Sequence, residues 1–146
     1  MEIQTTRFGL LAIEREDLLQ FPSGLMGIEE CRQWVLLQDA ENDAVAWLQS
    51  AERPEIAVAV VSPRRFVPDY RIRVARKEIE PLELGDVRLA EVLVIVGRTD
   101  RSITLNLRAP LLVNLARRLG RQVITNGDLP IRYELGGGQV AWKKSA

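Results

Sequence analysis

The side chains that carry most enzyme chemistry are almost absent from this chain. It contains no histidine, and its single cysteine is Cys31. Without histidine, neither a Ser-His-Asp nor a Cys-His relay can be built, and zinc sites with histidine ligands are excluded. A single cysteine also excludes a disulfide within the chain and a paired-cysteine site. We expect Cys31 to be a small buried apolar residue. Carboxylate chemistry, lysine chemistry and an all-oxygen metal site remain open.

Acidic residues are the next candidates for chemistry, and they form three clusters: Glu14, Glu16 and Asp17; Glu29 and Glu30; Glu78, Glu80 and Glu83. A catalytic pair needs two carboxyl groups about 5–9.5 Å apart across a pocket. Spacing along the chain does not establish that separation, and solvated surface carboxylates are far commoner. We interpret the clusters as surface residues and keep a carboxylate-based hydrolase as one alternative class of function.

Basic residues concentrate between positions 64 and 77, at Arg64, Arg65, Arg71, Arg73, Arg76 and Lys77. Arg71 and Arg73 would share one face of a strand and could bind a phosphate backbone. They could equally guard an edge strand against aggregation. The whole chain has 20 basic and 20 acidic residues, which argues against a bulk electrostatic nucleic-acid binder. A small RNA-binding barrel that uses residues 64–77 is the second alternative.

The motif Phe66-Val67-Pro68-Asp69-Tyr70 lies within this basic stretch. Pro68 fixes its own φ and favours an extended conformation for Val67, while Asp69 can accept backbone hydrogen bonds in a turn. The motif therefore predicts a stiff loop with two aromatic residues just before a strand. The loop is either a plug at the rim of the core or a pre-organised contact for a partner. The residues alone leave both interpretations open.

Period-two patterns and short apolar runs predict strands at residues 34–37, 45–48, 56–61, 92–96, 103–107 and 123–124. The continuous apolar run 92–96 is typical of a central strand that is covered on both faces. Residues 99–102 form a turn between two of these strands, which predicts a hairpin. The segment around Gly24 and Gly27 lacks a phosphate-loop pattern and predicts a turn, with Phe21, Leu25 and Ile28 packed inward.

Helical signals are few. Residues 14–19 could form one turn, and Pro81 interrupts residues 77–84. Residues 111–119 fit a helix or a strand, and the hairpin context favours a strand as far as Leu115. Many short strands predict an all-β, mainly antiparallel domain, either a barrel or a sandwich, over residues 1–135. A glycine-rich tail follows at 136–146. No secretory signal or membrane-spanning run is visible, so we expect a cytoplasmic protein.

Five motifs in this order resemble those of the FliW-type flagellar assembly factors. They are Phe21-Pro22-Ser23-Gly24-Leu25-Met26-Gly27-Ile28-Glu29, Trp47-Leu48-Gln49-Ser50, Phe66-Val67-Pro68-Asp69-Tyr70, Leu105-Asn106-Leu107-Arg108-Ala109-Pro110-Leu111 and Arg121-Gln122-Val123-Ile124. The family usually has proline at the position of Met26 and phenylalanine at that of Ile28. Both changes retain an apolar turn.

This resemblance implies a small β-barrel-like protein with few helical turns, no enzymatic activity and no cofactor. It implies two protein partners, flagellin and the translational regulator CsrA. By antagonising CsrA, such a protein couples flagellin supply to flagellin translation. We expect a monomer when free, without direct contact to nucleic acid or membrane. The candidate partner-binding residues are Phe66, Pro68, Asp69, Tyr70, Asn106, Arg108 and Pro110. A structural role for Asn106, Arg108 and Pro110 is left open, with Arg108 holding a carboxylate.

Overall fold

The computed structural model of the protein describes residues 1–135, which form short strands joined by turns. The predicted tail at 136–146 lies outside the described residues. The strands are β1 (Glu2–Thr5), β2 (Gly9–Ala12), β3 (Leu18–Gln20), β4 (Gln33–Gln38), β5 (Val45–Ser50), β6 (Ala57–Val61), β7 (Glu91–Arg98), β8 (Ile103–Leu105), β9 (Leu111–Asn114), β10 (Leu119–Gln122) and β11 (Tyr133–Glu134). The helix α1 spans Arg76–Ile79, and short 3-10 turns lie at Arg15–Asp17, Pro63–Arg65, Glu80–Leu82 and Val87–Leu89.

Seven of the strands close into a barrel. Their order is β3-β4-β5-β6-β7-β9-β10, and β10 returns to β3. Every pairing in the ring is antiparallel except the parallel contact of β10 with β3. Strands β8 and β11 extend the sheet outward from β7, while β1 and β2 form a separate hairpin. The predicted all-β, mainly antiparallel architecture is confirmed, and the structure is a barrel rather than a sandwich.

Barrel strands bury side chains on both faces, because each pleat sends alternate residues inward and outward. In β7, Leu93 and Ile95 pack in the barrel interior, while Val92 and Val94 pack in a second cluster outside the ring. The continuous apolar run at 92–96 is therefore explained by two covered faces, as the sequence predicts. The interior centres on nine buried residues: Leu19, Phe21, Leu25, Cys31, Trp34, Leu48, Val60, Leu111 and Val113.

The turn between β3 and β4 requires glycine at one position in particular. Gly24 has φ +67°, and a Cβ there would collide with the backbone of Glu29. Phe21 and Leu25 are buried and Ile28 is half-buried, so this segment packs inward as predicted. The hairpin β1–β2 covers the outside of β3 and β4 through Ile3 and Ile13.

Some element predictions are wrong in detail. Residues 123–124 are not a strand, since β10 ends at Gln122 and Val123 only donates one hydrogen bond, of 3.0 Å, to the carbonyl of Pro110. Proline has no N–H to return, so the ladder ends there. The strand expected from Leu111 to Leu115 exists but ends at Asn114, one residue earlier. The strand that starts at Ile103 ends at Leu105 instead of continuing to 107.

The N-terminal strands β1 and β2 and strand β3 lie outside the six predicted segments. Each has three or four residues, which is too short for a period-two pattern to stand out. The predicted turn at 14–19 is present as the 3-10 turn Arg15–Asp17. Among residues 1–135, no helix is both long and apolar enough to cross a membrane.

Candidate functional site

Residues 66–70, the rigid loop, consist of two consecutive turns. The amides of Phe66 and Val67 both donate to the carbonyl of Pro63, at 3.1 and 2.8 Å, and the amide of Tyr70 donates to Val67 at 2.9 Å. Phe66 and Val67 pack against the outer cluster. Pro68, at the loop's tip, is exposed, and so is its neighbour Asp69. The stiff loop predicted from Pro68 is therefore present, and the part that it presents to solvent is Pro68 and Asp69.

Tyr70 belongs to the core. Its side chain is 4% exposed, and its phenol donates a hydrogen bond of 2.7 Å to the carbonyl of Leu107. Burial raises the pKa of Tyr70 to about 12. The ring therefore offers little surface to a partner, and its contacts favour the other interpretation, in which Tyr70 anchors the rigid loop. This bond also holds the motif at residues 105–111, which contains Leu107, against the rigid loop.

The three candidate residues of the motif at 105–111 are all engaged within the chain. The side-chain oxygen of Asn106 accepts a hydrogen bond from the amide of Ala109 at 3.1 Å. Pro110 is buried, and its carbonyl accepts from Val123. These contacts favour a structural role for both residues, which was one of the two alternatives.

Arg108 holds the loop at residues 126–130. Its Nε donates to the carbonyl of Leu129 at 2.8 Å, and its guanidinium lies 3.5 Å from the carboxylate of Asp128. The carboxylate contact is the structural alternative raised from the sequence. Because Asp128 is fully exposed, this ion pair contributes little energy by itself.

Two open grooves flank Tyr70. The first, here called the arginine groove, encloses about 570 Å³ and runs between the segment that follows the rigid loop and the 3-10 turn Val87–Leu89. Its sides include Arg64, Arg71 and Arg88, and its apolar surface includes Ile72 and Val87. The second, about 380 Å³, lies between Tyr70 and the loop at residues 126–130. The exposed part of the rigid loop thus stands between two concave surfaces.

The strand expected directly after the rigid loop does not form, since residues 71–75 have no strand assignment. No ladder includes Arg71 or Arg73, although exposed and half-buried residues alternate along this segment. The neighbouring rings are also unavailable for base stacking, since Tyr70 is buried and Phe66 is half-buried. This arrangement does not favour single-stranded nucleic acid.

The acidic clusters differ in how their charge is used. Glu78 pairs with Arg121 at 2.9 Å, and Glu83 lies 3.8 Å from Arg117. Glu14 and Glu16 are exposed and have no ion pair within residues 1–135. Glu14 precedes the 3-10 turn Arg15–Asp17 and Glu16 lies in it, so both present carboxylates without an ion pair among the described residues, whereas the carboxylate of Asp17 accepts from the amide of Glu14 at 2.8 Å. Within the same described residues, no three acidic or cysteine side chains are placed to hold a metal ion.

Sequence reasoning missed the far wall of the arginine groove. Val87 and Leu89 are 44% and 71% exposed, on either side of Arg88. Arg88 itself pairs with Asp86 at 2.7 Å, and its hydrogen bonds hold the pKa of that carboxyl at about 2. An apolar residue on each side of an arginine is equally typical of a half-buried strand, so the sequence carried no signal that these side chains are exposed.

Comparison with known proteins gives a consistent result. The family model described as FliW protein matches residues 2–135. A flagellar assembly factor FliW of Bdellovibrio bacteriovorus is 39% identical over 135 residues, which is 90% of this chain and 77% of the relative. One of Caldanaerobacter subterraneus is 34% identical over 131 residues, 88% of this chain and 87% of the relative. A crystal structure of the flagellar assembly factor FliW aligns with a TM-score of 0.86 at 30% identity, covering 96% of this chain and 100% of that one.

Proposed function

The chain belongs to the FliW family of flagellar assembly factors, and from this premise we propose that it binds flagellin and the translational regulator CsrA. It acts in the cytoplasm without enzymatic activity. By antagonising CsrA while it is not occupied by flagellin, it couples the supply of flagellin to its translation.

The observation that carries this proposal is the rigid loop. Its two exposed residues, Pro68 and Asp69, stand on a backbone held by three turn hydrogen bonds and by the buried bond from Tyr70 to Leu107. A surface that is already ordered loses little conformational entropy when a partner binds. The loop is therefore suited to recognition, and we assign its exposed tip to the capture of flagellin.

The exposed carboxylates near Arg15–Asp17 support a contact with CsrA. A regulator that binds RNA must present basic surface, and complementary charge speeds and orients association. Glu14 and Glu16 have no ion pair within the described residues, whereas two of the three carboxylates of the cluster at 78–83, Glu78 and Glu83, already face arginines. We therefore assign the CsrA contact to Glu14 and Glu16 in preference to the cluster at 78–83.

Two matched pairs of variants test these assignments. Asp69→Lys should weaken capture of flagellin, whereas Asp100→Lys, an equally exposed change in the β7–β8 turn, should not. Glu16→Lys should weaken capture of CsrA, whereas Glu41→Lys in the β4–β5 turn should not. Equal effects of a variant and its control would reject the corresponding site, and failure of the unaltered protein to capture either partner would reject the function.

Coupling between the partners is tested by titrating flagellin into the preformed complex with CsrA. If each partner weakens the other, linkage requires the same factor in both directions. Release of CsrA, measured by size-exclusion chromatography and calorimetry, would support partner exchange. A stable ternary complex with unchanged affinities would contradict it.

A further inference from the structure

The five residues after the rigid loop, 71–75, are here called the open segment, and their exposure follows a strict alternation. Arg71, Arg73 and Ala75 are exposed, whereas Ile72 and Val74 are half-buried and pack against the apolar clusters outside the barrel. This alternation is what an extended chain produces on a surface. The open segment nevertheless belongs to no strand ladder.

Only one side of the open segment is hydrogen-bonded. The amide of Arg73 donates to the hydroxyl of Thr125 at 2.7 Å, and its carbonyl accepts from the amide of Asn126 at 2.6 Å. In an extended chain the backbone groups of neighbouring residues point to the opposite side. Those groups belong to Ile72 and Val74, and within residues 1–135 they have no hydrogen-bond partner. The segment thus has one backbone edge without hydrogen bonds, although it is not itself a strand.

This unpaired edge borders the arginine groove. Arg71 and Ile72 line one side of the groove, and Val87 and Arg88 line the other. The groove continues past Ile72 and Val74 as a further hollow of about 400 Å³. Ile72 lines both hollows and Val74 lines the second, so the two residues whose backbone groups lack hydrogen bonds border open space.

The charge around the groove selects the chemistry of an occupant. Arg64, Arg71 and Arg88 line it beside the carboxylate of Asp69. Asp86 pairs with Arg88, so the charges that no ion pair offsets within residues 1–135 are those of Arg64 and Arg71. The guanidinium groups of Arg71 and Arg73 make no hydrogen bond or ion pair with any other residue that the structure describes. An acidic chain would supply the charge that these groups lack.

We propose that the open segment accepts an extended, acidic segment of a partner protein, which adds a strand beside Ile72 and Val74. Main-chain hydrogen bonds to this edge provide affinity. Carboxylates of the added strand face the arginines, and its apolar side chains cover Ile72 and Val87. Residues 136–146 of this chain do not fit, because they include Lys143 and Lys144 and no acidic residue.

A synthetic peptide tests the strand addition without flagellin or CsrA, so its result is independent of the proposed function. The probe is a fluorescein-labelled heptapeptide of alternating aspartate and valine, measured by fluorescence anisotropy with the full chain. Two further heptapeptides carry N-methyl groups, one on the aspartates and the other on the valines. Since only one set of amides in an added strand faces the edge, one methylated peptide should bind like the parent and the other at least tenfold more weakly.

Variants of the protein test the charge. Arg71→Glu should weaken the binding of the parent peptide by about tenfold or more, because it replaces an attraction by a repulsion at the groove. Arg101→Glu makes the same charge change in the exposed β7–β8 turn and should leave binding unchanged. Both residues are exposed, so both variants should keep the melting temperature of the unaltered protein.

Four outcomes would overturn the inference. The first is that the parent peptide does not bind. The second is that both methylated peptides bind as well as the parent, which would indicate charge attraction without strand pairing. The third is that a mixed-sequence single-stranded RNA binds in an Arg71-dependent way while the peptide does not, and the fourth is that the chain elutes as a dimer that Arg71→Glu dissociates, in which case a second copy occupies the edge. The methylated peptides keep the test decisive even where a variant fails to fold.

Discussion

Strand β6 and the open segment are both extended stretches of five residues, but they have opposite environments. In β6, Val60 and Val61 pair with β7 while all five residues pair with β5, and the two faces meet two apolar clusters. The open segment is hydrogen-bonded on one side at Arg73 and exposes alternate residues. The difference shows that an extended chain becomes part of the barrel wall or a surface for recognition according to which of its edges finds a partner.

The arginines of the open segment also explain why an unpaired edge is tolerated. Two copies of this edge would place Arg71 and Arg73 of one chain against those of the other, and like charges repel. Charged residues on an edge are a common protection against aggregation. The same charges attract an acidic strand, so one feature excludes the wrong partner and favours the right one.

The largest effect is expected where the open segment is tied to the core. Tyr70→Ala removes a buried ring and leaves the carbonyl of Leu107 without its hydrogen bond. We expect the free energy of unfolding to fall by about 3–5 kcal/mol, measured by urea denaturation. A loss below about 1 kcal/mol would mean that Tyr70 does not anchor this region. It would favour the alternative in which the ring contacts a partner.

Matched valine truncations compare the two regions directly. Val60→Ala in β6 empties part of a fully buried site and should lower the free energy of unfolding by about 2–3 kcal/mol. Val74→Ala in the open segment removes the same atoms from a half-buried site and should cost about 1 kcal/mol or less. Equal losses would show that the open segment is packed as firmly as the barrel wall.

A smaller effect is expected at Arg73, which ties the middle of the open segment to residues 125 and 126. Thr125→Val keeps the shape of the side chain but removes the oxygen that accepts from the amide of Arg73. We expect a loss of about 1 kcal/mol and faster hydrogen exchange at the Arg73 amide. The amides of Ile72 and Val74 should exchange rapidly in both proteins, and slow exchange there would contradict the free edge.

The smallest effect is expected from a change of pH near neutrality. The chain has no histidine, so stability should be nearly flat between pH 6 and 7.5. The pKa of Tyr70 is raised from 10.0 to about 12 in the folded state. The unfolded state therefore loses this proton first, and the free energy of unfolding should fall as pH rises from 10 to 12.

Tyr70→Phe is the control for that alkaline window. It lacks the titrating phenol, so its stability should decline less steeply between pH 10 and 12 than that of the unaltered protein. Identical slopes in denaturant-unfolding experiments would show that the Tyr70 phenol titrates alike in both states.

Much of the fold could be predicted from local pattern. The strands near residues 34–37, 45–48, 56–61 and 92–96 exist because short apolar runs between turn residues favour extended chain wherever they occur. The errors fall where a distant residue decides. Val123 lies opposite Pro110, which has no N–H to donate, so the predicted strand at 123–124 is reduced to one hydrogen bond.

The candidate site was predicted less completely. The stiffness of the rigid loop follows from Pro68 and could be derived locally. The burial of Tyr70 depends on Leu107, 37 positions away, and the groove wall at Val87 depends on the barrel beneath it. The acidic residues were visible in the sequence. The sequence did not show that Glu78 pairs with Arg121 while Glu16 has no ion pair within the described residues.

The sequence by itself determined the absence of histidine chemistry, the predominance of short strands and the order of motifs that the FliW family shares. These properties are set by residue type and by neighbours along the chain. Only the tertiary structure decided that seven strands close into a ring and that the open segment keeps one free edge. Backbone hydrogen bonds join residues that are distant in the chain, as the amide of Asn126 and the carbonyl of Arg73 do, so local pattern does not determine which edges are paired.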